Sequence, residues 1–146
     1  MSKPTFAFVL AGILSAALVS VAQQPAPVVK NVPIKQTSAA DGHQMFTTYC
    51  AVCHGANGNG AGPAATAMKV PPVDLTLLSQ KNGGVFPANH VASVLQFGVE
   101  NPAHGSAQMP IWSNLLRTLN SDSQDPGTLV HQRINNITEY LKQLQK

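Results

Sequence analysis

The chain has 146 residues, nine basic and six acidic side chains, a net charge of +3 with histidine neutral, and only 5% aromatic residues. That length holds one small domain once a leader is set aside, and few aromatics leave it a thin core of its own. With so small a net charge and no run of one sign, the composition argues against a nucleic-acid partner and against a strongly steered acidic one.

Residues 1–22 read as a signal peptide. Lys3 begins a weakly charged start, residues 6–21 form an apolar run, and Ser20-Val21-Ala22 is a small-x-small end. The run is short for a spanning helix, which needs about 20 residues. Cleavage is the expectation, and an uncleaved anchor is the alternative. No cysteine lies near Ala22, so a lipoprotein anchor is out. Losing Lys3 leaves eight basic against six acidic residues, a net +2. Residues 23–38 (QQPAPVVKNVPIKQTS) carry three prolines and no helical period, and read as a flexible, extended tether. Residues 39–146 make up the single domain.

Within that domain, Asp41 suits the cap of a first helix running through Tyr49 into the run Cys50-Ala51-Val52-Cys53-His54. Gly42, Phe46 and Cys50 recur every four residues and share a face. Four glycines in residues 55–62 require a tightly turning loop. Residues 63–69 suit a short helix stopped by Pro71-Pro72. Pro87 suits a first helical position and Gly98 the end of a helix over 88–97, with Val91, Val94 and Leu95 inward. Ile111, Leu115, Leu116 and Leu119 suit an additional amphipathic helix, and residues 121–125 a polar loop. Asp125-Pro126 caps a last helix, where Val130, Ile134, Ile137, Leu141 and Leu144 form an apolar stripe. No segment alternates as a strand, so the fold class is all-α.

The two cysteines of the motif are the only ones in the chain, which leaves no disulfide framework to build. Two cysteines three residues apart on one helical turn can each add to a vinyl group of one porphyrin. The histidine that follows then aims its imidazole at the iron. A redox dithiol would need a βαβ setting, absent here. A structural zinc site would need four ligands, and histidines 43, 54, 90, 104 and 131 show no suitable pairing. The motif occurs once, so the expected cofactor is one haem c, attached through Cys50 and Cys53 and ligated by His54. Attachment of this kind belongs outside the cytoplasm, in agreement with the export signal. A large apolar disc also supplies the core that the composition lacks, so the haem-free chain is expected to be largely unfolded.

With these residues in place, residues 39–146 resemble a small class I c-type cytochrome. The likeness rests on Gly-x-x-x-Phe-x-x-x-Cys leading into Cys-x-x-Cys-His, and on His54 followed by a glycine-rich loop with Pro63 nine residues on. It rests also on the pair Met109-Pro110 and on a last helix with Ile137, Tyr140 and Leu141 on one side. The resemblance implies the cytochrome c fold, with first and last helices crossing so that Gly42 and Phe46 meet Ile137 and Tyr140. It implies too that the Pro63 carbonyl receives the His54 ring N–H. The stretch from Ile111 to Asp125 is longer than in minimal members, which leaves the distal packing open.

Met109 is the first choice as sixth ligand, since a thioether opposite histidine raises the potential of the iron. Its alternative is a methionine filling a gap in the core. His104 is the main rival and His90 a weaker one; Met45 and Met68 read as core, His43 and His131 as surface. Trp112 either turns its indole N–H to a haem propionate or packs in the core. Lys69 and Arg117 are candidate propionate partners, with a solvated charge as the default. The resemblance implies an electron carrier rather than an enzyme, with no catalytic residue. It would be periplasmic and would pass single electrons between redox proteins such as membrane complexes and terminal reductases or oxidases. Membrane contact follows only if the N-terminal segment stays uncleaved. The alternatives are a haem-bearing subunit of a larger membrane oxidoreductase, and a haem peroxidase or gas sensor with a distal site that can be vacated.

Overall fold

The computed structural model describes residues 34–98, 109–119 and 124–146. The chain divides into the units Met1–Asn31 and Val32–Lys146. The first unit, with the expected leader and most of the tether, lies outside the described residues, as do His104 and residues 121–123 of the polar loop. Among the described residues every regular element is helical and none is a strand. The all-α expectation holds.

Helix α1 runs in three consecutive stretches: Gly42–Met45, Phe46–Cys50 and Ala51–His54. Asp41 starts it, in extended backbone, with its carboxylate accepting from the Gln44 N–H at 2.7 Å. The middle stretch is π-helical, the Ala51 N–H reaching back to the Phe46 carbonyl. Positions four apart drift around an α-helix of 3.6 residues per turn. A wider turn takes back that drift, and Phe46 and Cys50 are both buried.

Two short 3-10 turns follow, Ala65–Ala67 and Leu75–Leu77, the second continuing into α2, Leu78–Lys81. The helix expected over residues 63–69 is therefore only one turn. The Ala64 N–H is already committed to the Val52 carbonyl at 2.9 Å, and Met68 turns extended ahead of the two prolines. Helix α3 is Ala88–Phe97, with Val91 and Leu95 buried, Val94 half-buried and Pro87 one position earlier than expected, at the cap. Helix α4 is Trp112–Thr118, the additional helix, with Trp112, Leu116 and Leu119 buried. Helix α5 is Pro126–Gln143, capped by the Asp125 carboxylate accepting from the Thr128 N–H.

Between α1, α3, α4 and α5 lies the core. Phe46, Leu116, Ile134 and Ile137 are almost wholly removed from water, each contributing roughly 1.5–3 kcal/mol. The α1–α5 crossing is close. A Cβ on Gly42 would stand 2.0 Å from the Asn136 carbonyl oxygen and 3.1 Å from the Tyr140 Cβ. Only a glycine fits there, and the Phe46 and Tyr140 rings pack at a tilt of 49° with centroids 5.2 Å apart. Gly42 thus meets Asn136 and Tyr140, while Phe46 and Ile137 share the core beside the crossing.

The last residues of the expected tether are held to the domain. Ile34 packs on the core. The Tyr49 hydroxyl donates to the Lys35 carbonyl at 2.6 Å and lies 2.7 Å from the Thr37 hydroxyl. Arg133, buried on α5, donates to the Thr37 hydroxyl at 3.1 Å, to the Thr37 carbonyl at 3.0 Å and to the Met45 sulfur. Burial pulls the guanidinium pKa below its ordinary value, with Tyr49 opposing. Asn136 adds a bond to the Ala39 carbonyl. Backbone atoms of residues 34–39 thereby gain the partners that a free tether would find in water.

Candidate functional site

Cys50, Cys53 and His54 occupy the end of α1, where a helix leaves its last carbonyls without partners. The glycine loop supplies them. Its N–H groups at Ala64, Gly62 and Gly60 donate to the carbonyls of Val52, Cys53 and His54 at 2.9, 3.0 and 2.8 Å. The loop runs so close that a Cβ on Gly62 would lie 2.5–2.6 Å from the Val52 and Cys53 carbonyls. The loop thus works as a cap folded back over the turn that carries the motif, and any side chain at Gly62 would lift it off.

A second pass of the chain lies outside that loop. Leu75 N–H donates to the Gly58 carbonyl at 2.7 Å, and the Val73 carbonyl lies 3.1 Å from His54 Nδ1. A carbonyl only accepts, so Nδ1 carries the proton and Nε2 is left with its lone pair. His54 is 9% exposed. Burial lowers its pKa, with the Val73 bond opposing, and so favours the neutral ring that a metal ligand must be.

The acceptor expected by resemblance, Pro63, is replaced by Val73. On either side of Pro63 the Gly62 and Ala64 N–H groups are bound to the carbonyls of Cys53 and Val52, along the backbone of the motif turn. Pro63 itself is exposed. The return pass after Pro71-Pro72 is the one that reaches the ring. Sequence reasoning missed Val73, although two prolines followed by Asp74 already mark an extended segment ending in a helix cap. Asp74 does cap the turn, accepting from the Thr76 N–H and hydroxyl.

Both thiols are free of disulfide bonds. Cys50 is buried and Cys53 half-buried. Burial, with a smaller push from Cys53, drives the Cys50 thiol up to about 12, so it is held as the neutral thiol. Beside Cys50, Tyr49 packs on Trp112 with ring centroids 5.9 Å apart. Trp112 is buried and belongs to the core cluster. Three residues earlier, Met109 is half-buried and packs against the core. Met45 is wholly buried and Met68 half-buried. Met45 belongs to the core, its sulfur meeting Arg133. His43, His90 and His131 are exposed, as are Lys69 and Arg117.

The donor chemistry fits a covalently held haem. One imidazole is locked with Nε2 free, and two thiols sit three residues apart on the same turn. Val52, Val70, Val73, Val85, Phe97 and Ile111 leave 41–66% of their surfaces uncovered by the protein. Zinc fits poorly, because the described residues bring no group of three or more His, Cys, Asp or Glu together. A surface cleft of about 350 Å³, lined in part by Phe97, Ile111, Arg117 and His131, contains none of the motif residues.

Comparison with curated proteins and with solved structures returned no match. The family model described as Cytochrome c matches residues 39–145, a span that begins at α1 and ends with the residues that follow α5. The capped motif turn, the locked imidazole, the crossing of α1 with α5 and this match lead to one statement. The chain belongs to the cytochrome c family.

Proposed function

We propose that this protein is an exported, periplasmic monohaem cytochrome that carries single electrons between redox proteins through a His54–iron–Met109 axis. Family membership supports a haem-binding electron carrier. The observation that carries the finer reading is the Val73–His54 bond, which presets the ligand tautomer and ring orientation before any metal is considered.

Bound haem supplies the one-electron couple. The chain's part is to hold it. Cys50 and Cys53 would anchor the porphyrin, and His54 would offer Nε2 to the iron. Met109 would offer its thioether as the second ligand, which would favour the reduced state. Its pairing with Pro110 and its separation from the motif by more than fifty residues support that role. The loop over residues 55–64 and the return pass at Val73 keep His54 buried. With His54 and Met109 both holding the group, no substrate would need to reach the metal.

The carrier reading predicts a single one-electron transition in a redox titration of the purified holoprotein. It also predicts that the reduced protein binds carbon monoxide slowly, if at all. Rapid carbon monoxide binding by the reduced wild type would instead favour a sensor or peroxidase with a vacated distal site.

A further inference from the structure

The C-terminal dipeptide bonds to the same return pass that holds the imidazole. Gln145 lies just beyond α5, and its side chain makes three hydrogen bonds. Oε1 accepts from the Ser79 N–H at 2.9 Å, and Nε2 donates to the carbonyls of Leu75 and Leu141, each at 2.8 Å. Next to it, the Lys146 N–H donates to the Thr76 carbonyl at 3.1 Å, and Gln80 reaches the Lys146 carbonyl at 3.3 Å.

These bonds fix the segment at several successive points. Leu75 is gripped on both sides, its N–H by Gly58 and its carbonyl by Gln145. Thr76 is buried and takes the C-terminal N–H. Two residues before Leu75 is Val73, whose carbonyl receives the His54 ring N–H. The amide of Gln145 therefore links the end of α5 to the backbone that orients the ligand, across 70 residues of sequence. A glutamine suits this task because a neutral amide donates and accepts at once, as the opposed N–H and carbonyl groups require.

We infer that Gln145 is a positioning residue for the axial histidine. By holding residues 75–79 in place it keeps the Val73 carbonyl on Nδ1–H, and so sets how strongly the imidazole donates to iron. Rested on the His54 ligand reading, this goes beyond it by assigning control of the ligand to the chain's end. A firm Nδ1–H···O bond makes the ring a better donor, which favours the oxidised metal and lowers the reduction potential. Loosening the clamp has the opposite effect.

The test compares Gln145→Met with Gln143→Met in the holoprotein. Both changes are neutral in charge, and Gln143 is exposed on the last turn of α5. The potential is read by spectroelectrochemistry, and hydrogen exchange of the His54 Nδ1–H by nuclear magnetic resonance. Gln145→Met should raise the potential and speed that exchange at least tenfold, while Gln143→Met matches the wild type. A lower melting temperature in Gln145→Met with potential and exchange unchanged would overturn the positioning role and leave His54 ligation standing. A wild-type spectrum in which the His54 ring proton carries no signature of iron ligation would overturn both.

Discussion

Replacing Gly42 by alanine tests the helix crossing that brings α1 and α5 together. The added Cβ would lie 2.0 Å from the Asn136 oxygen, 2.7 Å from its carbonyl carbon and 3.1 Å from the Tyr140 Cβ. Ordinary contact needs about 3.5 Å, so the two backbones must part by on the order of 1.5 Å. A gap of about 1 Å already forfeits a quarter to a half of each dispersion contact across it. Phe46, Ile137 and Tyr140 all lie along this seam. Overpacking of this sort costs about 1–3 kcal/mol, against which alanine regains at most about 1 kcal/mol in helix propensity. A net loss of about 1–2 kcal/mol lowers the melting temperature of a domain this size by roughly 4–8 °C. Circular dichroism melting of the holoprotein reads it directly. Gly127→Ala is the control, since its Cβ would meet only Asp125 Oδ1, at 3.5 Å, and its melting temperature should hold or rise. A Gly42→Ala variant that melts at the wild-type temperature, or no lower than Gly127→Ala, would refute the close crossing.

Tyr49→Phe removes the hydroxyl that joins Lys35 and Thr37 to α1. It should cost about 1–2 kcal/mol and make the chain around residue 35 more open to limited proteolysis. Asp125→Ala should lower stability at neutral pH and flatten its dependence at low pH. Hydrogen bonds from Thr128 hold the Asp125 carboxyl below its ordinary 3.8, so its stabilisation is present above that value. It is lost as pH falls through the lower folded value, and acid titration of the melting temperature shows whether it is. The double change Cys50→Ala, Cys53→Ala should leave no haem on the chain after denaturing electrophoresis, and far-ultraviolet circular dichroism should show less helix than the holoprotein. Full native helicity in that variant would contradict the porphyrin's part in the core.

Much of this arrangement was legible in local patterns. Asp41 and Asp125 announce their helices because a short carboxylate before an apolar period has few better uses. The stripe from Val130 to Leu141 places α5 against the core before any contact is known, and Ala88–Phe97 is bounded by Pro87 and Gly98. The motif carries its own chemistry in its spacing. What could not be read depends on which strand of loop passes where. Pro63 and Val73 both follow the glycine loop, and only the three-dimensional path decides whose carbonyl meets His54. Arg133 reads in sequence as one more charge on an amphipathic helix, yet it is buried and bonds to Thr37 and Met45. Gln145 reads as a frayed terminus. Each of these side chains is defined by partners 66 or more residues away, a distance at which periodicity says nothing.

The axis His54–iron–Met109 is the centre of this account, and the optical spectrum of the oxidised holoprotein tests it most directly. The weak band near the red end of the visible that reports sulfur bound to ferric iron should be present in the wild type. It should vanish in Met109→Ala and persist in His104→Ala. A wild type that lacks the band, or a band unchanged by Met109→Ala, would contradict the assignment of Met109.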